Sequence, residues 1–308
     1  MTWWEALLLG AVQGLTEFFP VSSSGHLVLG QDVLGLEVPG IIFDVVVHLA
    51  TLISVLVVYR AKIAGLIRGM FTGGEESSWR YILKIVAATI PAVIVGFTLQ
   101  DYFEARFDDP IFAATMILVT GAVVWSTRWA TETRRFGIME LVPLVVAAGM
   151  SLLAGTIIPF LGVLALEAVI MTIARTTAPT EVSRLEPTWS GAVLMGTAQA
   201  VAIFPGISRS GSTVVAGLWR RIDPVAAAEF SFLMSIPAIL GAAVLQVPDA
   251  LGADLGVSTT ALVAGFIAAA LSGVLAIRFF VALLRRQNFY VFAYYCWAAA
   301  GLFLLFNV

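Results

Sequence analysis

Charge is what this chain lacks most. Only 12% of its 308 residues are Asp, Glu, Lys or Arg, about half of what a soluble domain carries. Hydrophobic residues make up 60%, and the mean hydropathy is +0.97. Water is therefore excluded as the solvent for most of the surface. There is one cysteine, Cys296, inside the apolar run Tyr295-Cys296-Trp297, so an internal disulfide is excluded. No basic patch interleaved with aromatics is present, and the net charge is −3, so nucleic acid is not an expected partner. The N-terminus, Met1-Thr-Trp-Trp-Glu5, lacks the basic opening of a signal peptide and is read as part of the mature fold.

What is present is a series of apolar stretches near 20 residues, the length that crosses a bilayer as a helix. Candidate spans are 40–59, 81–99, 110–127, 138–156, 158–175, 225–246, 259–283 and 288–306. Segments 2–34 and 189–219 differ. Each is a pair of short apolar stretches broken by a Pro/Ser/Gly turn, Pro20 to Gly25 and Pro205 to Gly211. These read as re-entrant hairpins, because irregular backbone at membrane depth is tolerated only where protein or a cavity surrounds it.

The two broken segments are also copies. At an offset of 186, Gly10, Gln13, Phe18, Ser22, Ser24, Gly25 and Val28 match Gly196, Gln199, Phe204, Ser208, Ser210, Gly211 and Val214. Basic residues cluster in 60–84, 128–135, 175–184, at Arg220 with Arg221 and at Arg285 with Arg286; the remainder are Arg106, Arg209 and Arg278. With the basic loops in the cytoplasm, the first hairpin enters from outside and the second from inside, and three spans follow each. An odd number of spans per copy inverts the second copy. The expected architecture is an all-α polytopic membrane protein with an inverted repeat. Repeat one is 1–128, a central linker with the inserted pair 138–156 and 158–175 is 129–188, and repeat two is 189–308. Duplicated, broken apolar segments of this kind mark the binding site.

The chemistry sits at the two turns. Gln13 and Glu17 are four apart and share a helix face. A carboxylate in apolar sequence faces a polar cavity and has a task there. Ser22, Ser23, Ser24 and Gly25 then open a new helix, with His26 in its first turn. Ser208, Arg209, Ser210, Gly211 and Thr213 stand at the matching turn. Helix N-termini carry free N–H groups and partial positive charge, which suits phosphate, and Arg209 adds a planar fork of donors. Glu17 and His26 supply acid–base capacity or metal ligation. Asp44 and His48, an i, i+4 pair on span 40–59, are candidates to line the site or pack against it, and Glu229, Ser231 and Ser235 to do so from span 225–246. Gln13 and Gln199 could equally bond across helices, the Ser/Gly turns could be plain caps, and Arg209 could pair structurally with Glu17. The aromatics Trp3, Trp4, Trp129, Trp189 and Trp219 lie near span ends, as interfacial anchors do.

The sequence from Gln13 to His26, with PVSSSGH, and the sequence Pro205-Gly-Ile-Ser-Arg-Ser-Gly-Ser-Thr213 resemble the two signatures of the undecaprenyl-diphosphatase family, the bacitracin-resistance proteins. Phe43 to Thr51 and Phe230 to Pro237 are also similar to family sequence. The similarity covers about 1–128 and 189–308. It implies a membrane phosphatase of the bacterial inner membrane that removes the terminal phosphate of undecaprenyl diphosphate and so recycles the lipid carrier of peptidoglycan synthesis. By motif it implies Glu17, Ser23, His26 and Arg209 as the central residues. Gln13, Ser22, Ser24, Gly25, Ser208, Ser210, Gly211 and Thr213 line the phosphate. A divalent cation, Mg2+ or Ca2+, is expected at Glu17. Gln13 departs from the pattern, standing where many members have a second glutamate. Ser23 is the first choice of nucleophile, with His26 or Glu17 as its base; His26 itself or a water held by Glu17 are the alternatives. A lipid-phosphate flippase or anion transporter on the same scaffold is the rival expectation. The sequence does not give the oligomeric state and leaves a homodimer open.

Overall fold

The computed structural model describes residues 1–36, 40–72, 76–107, 109–128, 184–252, 257–285 and 289–307. Twelve helices form among them, and no strand. They are α1 (Trp3–Phe18), α2 (Ser23–Val33), α3 (Gly40–Val58), α4 (Arg60–Phe71), α5 (Glu76–Thr98), α6 (Gln100–Phe107), α7 (Pro110–Trp125), α8 (Trp189–Val201), α9 (Arg209–Trp219), α10 (Pro224–Gly252), α11 (Thr259–Leu284) and α12 (Val291–Asn307). The expected span pair 138–156 and 158–175 lies outside the described residues.

The protein is a multi-pass membrane protein. Ser78–Thr98, Pro224–Gln246 and Thr259–Leu284 are long and apolar enough to cross a bilayer. Their outer faces carry large exposed apolar side chains, among them Ile94, Val244, Leu275 and Phe279, a surface that lipid covers at no cost and water does not. The helices α7 and α12, of 16 and 17 residues, are shorter than the 110–127 and 288–306 of the sequence reading. At 1.5 Å per residue each is about 25 Å long, against a hydrocarbon core of about 30 Å. Asp109 sets the start of α7: its side chain accepts from Phe112 N–H, and Pro110 follows at the first helical position.

Two segments read as loops are helical. The chain bends by 74° between α3 and α4. The helix α4 carries Arg60, Lys62 and Arg68, packs Ile63 and Leu66 on the core, and exposes Ile67 and Phe71, a pattern suited to the membrane interface. The short α6 lies in the acidic stretch before Asp109. Both contain charged residues, basic in α4 and mostly acidic in α6, that hide the helical period in a search for uncharged runs.

Each broken segment is a pair of short helices joined at a turn. The arms α1 and α2 have 16 and 11 residues, and α8 and α9 have 13 and 11. The first arms are held by close packing of small residues. A Cβ on Gly10 would enter the backbone of Gly265, and one on Gly14 would enter Ala269 O and Ser272 Oγ, so α1 lies directly on α11. A Cβ on Gly196 would likewise enter the backbone of Ala88, where α8 lies on α5. Between the hairpins runs the larger apolar core, with Phe18, Trp125, Phe230, Phe232 and Phe280 fully buried. A smaller cluster around Ala6, Leu9, Leu27 and Phe43 backs the outer part of the first hairpin.

Candidate active site

The two turns meet. Ser22 and Ser208 cap α2 and α9 in the same way, accepting from Gly25 N–H at 3.3 Å and Gly211 N–H at 3.0 Å. Next to each cap the second serine hydroxyl stands 3.3 Å away (Ser22–Ser24) or 3.2 Å away (Ser208–Ser210). The turns touch through their smallest residues: a Cβ on Gly25 would come within 2.9 Å of Gly206 Cα, and a Cβ on Gly211 within 3.2 Å of Pro20 Cβ. At Gly206 φ is +96°, a conformation that favours glycine, and its Cβ position is filled by Ala113 and Met116 of α7. Across the junction Ser210 Oγ donates to Phe19 O at 2.9 Å, and Ser208 Oγ to the same carbonyl at 3.5 Å. Thr120 Oγ1 donates to Gly206 O at 2.8 Å and accepts from Ser208 N–H at 2.9 Å.

Glu17, at the end of α1, is the hub. Its Oε1 accepts from Arg209 Nη2 at 2.5 Å. Its Oε2 accepts from Ser23 Oγ at 2.5 Å and from Gln13 Nε2 at 3.0 Å, with His48 Nε2 at 3.9 Å. The Glu17 side chain is 6% exposed and that of Arg209 15%. Arg209 also points Nη1 at Ser231 O, 3.4 Å away. The pair thus joins residues 192 apart in the sequence, and both hairpins contribute to one charged centre. Because the Glu17 carboxylate can only accept, the nitrogen of the Gln13 amide must face it. Gln13 Oε1 is then left buried with no hydrogen-bond partner. Buried acceptors of this kind call for a donor or a cation.

The predicted site residues fall into distinct places. Glu17, Ser23, Gln13 and Arg209 form the centre, with His48 at its edge. Ser22, Ser208 and Ser210 are buried and used in the caps and the junction between hairpins. Thr213 Oγ1 donates along α9 to Arg209 O at 2.8 Å and stands 2.6 Å from Ser231 Oγ, so it braces Arg209 from behind. Asp44 accepts from Gln31 at 3.4 Å and offers its backbone carbonyl to His48 Nδ1 at 2.7 Å; it orients His48 rather than reaching Glu17. Glu229 pairs with Lys62 at 2.9 Å, and Ser235 bonds its own helix. His26 does not hydrogen-bond Ser23: Nδ1 lies 2.7 Å from Ser22 O, and Nε2 lies 3.0 Å from Tyr295 Oη.

Sequence reasoning missed Tyr295, Thr120 and Cys296. The Cys296 thiol donates to Pro20 O at 3.6 Å. None of the three stands near a motif, and each meets the turns across at least 86 residues of chain. Polar side chains inside apolar spans were the available signal, and Thr120 and Tyr295 are such residues.

The family model for Bacitracin resistance protein BacA matches residues 6–158 and 138–302. The chain belongs to this family. Among its relatives is the "Undecaprenyl-diphosphatase" of Desulfatibacillum aliphaticivorans, 34% identical over 100% of this chain and 99% of the relative. The "Undecaprenyl-diphosphatase 4" of Bacillus thuringiensis subsp. konkukian (strain 97-27) is 34% identical over 99% and 97% of the two chains. The "Undecaprenyl-diphosphatase" of Alkaliphilus metalliredigens (strain QYMF) is 35% identical over the full length of both. The family to which the two signatures point is therefore the family found, and the match extends over both hairpins.

Proposed function

We propose that this protein is an integral-membrane phosphatase that hydrolyses undecaprenyl diphosphate to undecaprenyl phosphate and inorganic phosphate, recycling the lipid carrier and conferring bacitracin resistance. The observation that carries the reading is the Ser23–Glu17–Arg209 set at the junction of two helix N-termini. It combines a nucleophile, a base and a phosphate clamp. The relatives' names point to the same reaction. A carrier of a bound anion has no use for a serine hydroxyl hydrogen-bonded to a carboxylate.

In this reading the diphosphate enters at the meeting point of α2 and α9 and takes up the fork of Arg209. Arg209 then exchanges its contact with Glu17 for phosphate oxygens, and Glu17 is freed to act as a base. Ser23 Oγ attacks the terminal phosphorus as its proton passes to Glu17 Oε2. The bridging P–O bond breaks, and undecaprenyl phosphate leaves with the bond pair. Water then attacks the phosphorus of the Ser23 phosphoester, the Oγ–P bond breaks as Glu17 Oε2 returns its proton to Ser23 Oγ, and phosphate departs with the protons of the water. The first-turn N–H groups of α2 and α9, which lack carbonyl partners within their own helices, and Arg209 stabilise the charge on the equatorial oxygens.

Among the described residues no group of three His, Cys, Asp or Glu could hold a metal. The donors that fit a Mg2+ or Ca2+ ion are oxygens: Glu17, and the unpartnered Oε1 of Gln13. Mg2+ is commonly bound by one or two protein oxygens together with substrate phosphates, so this sparse set suits an ion that arrives with the diphosphate. Such an ion neutralises phosphate charge when bound.

The same reading includes an inverted repeat, with repeat one at 1–128, repeat two at 189–308, and each hairpin re-entrant. Reciprocal packing supports it. Residue 25 meets 206 and residue 211 meets 20, each contact being the other displaced by the offset of 186. Thr120 and Cys296 hold the carbonyls of the equivalent residues 206 and 20. The first hairpin opens outward from the bacterial inner membrane. In support, Lys62 with Glu229, Lys84 with Glu186, and Arg220 with Ser190 join basic segments assigned to the cytoplasm.

The test is phosphate release from undecaprenyl diphosphate by the purified protein in detergent, with and without EDTA. Release that EDTA abolishes and Mg2+ or Ca2+ restores is expected. No release from folded protein would refute the phosphatase reading, and transfer of a labelled lipid phosphate across liposomes would then support the transporter.

A further inference from the structure

His26 has its two ring nitrogens committed to different elements. Nδ1 lies 2.7 Å from Ser22 O. A carbonyl oxygen only accepts, so Nδ1 carries the proton and Nε2 of the neutral ring presents its lone pair. That carbonyl is aimed by an unusual backbone: Ser22 has φ +73° and ψ 102°, a strained conformation for a residue other than glycine. At Nε2 stands Tyr295 Oη, 3.0 Å away. The two rings are stacked at 5.6 Å between centroids with only 10° between their planes. Tyr295 comes from α12, 269 residues away. Its neighbour Cys296 bonds Pro20 O, which ties that turn of α12 to the first hairpin beside the ring. Tyr295 is 48% exposed, so the contact is not explained by burial of an aromatic ring in the core.

We infer that Tyr295 is a positioning residue for His26: its ring fixes the imidazole plane, and its hydroxyl donates to Nε2 and holds the lone pair on one line. The inference rests on the phosphatase reading for its consequence, since an imidazole with a fixed acceptor nitrogen one turn from Ser23 is placed to take a proton from the water that cleaves the Ser23 phosphoester. Ser23 already has Glu17 as its own partner, which leaves His26 for this second proton. The Tyr295 hydroxyl yields Nε2 to that water when the phosphoester forms. Tyr295 touches no reacting atom.

The test uses Tyr295→Phe, which keeps the stacked ring and removes the donor, in full-length protein in detergent. The chain has two histidines, so ¹⁵N-histidine labelling gives a spectrum that His26→Ala assigns. Without substrate, Tyr295→Phe is expected to move the unprotonated-nitrogen resonance of His26 and leave that of His48 in place. With undecaprenyl diphosphate, kcat is expected to fall about tenfold, the size of one hydrogen bond, with KM unchanged. In the His26→Ala background Tyr295→Phe is expected to cost nothing further. An unmoved His26 resonance, or full and independent losses from the two substitutions, overturns the inference. If the wild-type protein releases no phosphate, the phosphatase reading falls, whereas the resonance still decides whether Tyr295 holds His26.

Discussion

Removing one member of the Glu17–Arg209 pair and removing both should separate stability from activity. Both side chains are largely withdrawn from solvent, at 6% and 15% exposure. In Arg209→Ala the Glu17 carboxylate keeps only Ser23 and Gln13 as donors, with His48 at 3.9 Å. Leaving a buried charge without its counter-ion costs about 3–5 kcal/mol. Glu17→Gln leaves the Arg209 guanidinium with Ser231 O at 3.4 Å as its remaining partner, at a similar cost. The double variant carries no uncompensated charge, so its destabilisation should be smaller than the sum of the two, by about 2–3 kcal/mol of coupling. The protein carries its own reporter for this measurement: Cys296 is its one cysteine and is fully buried, so a thiol-reactive dye follows unfolding in detergent. Activity should not recover alongside stability. Every variant without Arg209 should lose about 10²–10³ in phosphate release, the value of one donor to transition-state charge. Additive destabilisation would show that the pair is not coupled, and a folded Arg209→Ala protein with wild-type turnover would remove Arg209 from the site.

Two neighbouring serines should behave differently. Ser23→Ala is expected to abolish phosphate release, whereas Ser24→Ala, whose hydroxyl stands 3.3 Å from Ser22 Oγ, should lower it by less than about tenfold; equal losses in a release assay would remove Ser23 as nucleophile. Gly206→Ala places a methyl against Ala113 and Met116 at φ +96° and is expected to cost about 1–3 kcal/mol, read as earlier Cys296 labelling on heating. An unchanged labelling profile would show that the junction of the hairpins is looser than its packing implies.

Composition and pattern alone determined that the chain lives in a bilayer, that its polar residues concentrate at two broken, duplicated segments, and which family those segments belong to. The reason is local: an apolar run of about 20 residues has few alternatives to a helix in lipid, and a Pro/Ser/Gly turn between short apolar arms interrupts such a run. The same local reading overextended α7 and α12 and passed over α4 and α6, because charge density marks where a helix leaves the core and not where its backbone stops turning. It also left Ser23 with two candidate bases. Only the tertiary structure placed Ser23 on Glu17 and His26 on Tyr295, used Ser208 and Ser210 to tie the hairpins together, and paired Glu229 with Lys62. Apart from Ser23 on Glu17, a contact across the first turn, those outcomes turn on contacts between residues far apart in the chain, up to 269 residues for His26 and Tyr295. Periodicity says which face of a helix a residue occupies, and the packing of Gly10, Gly14 and Gly196 against their partner helices decides what that face meets.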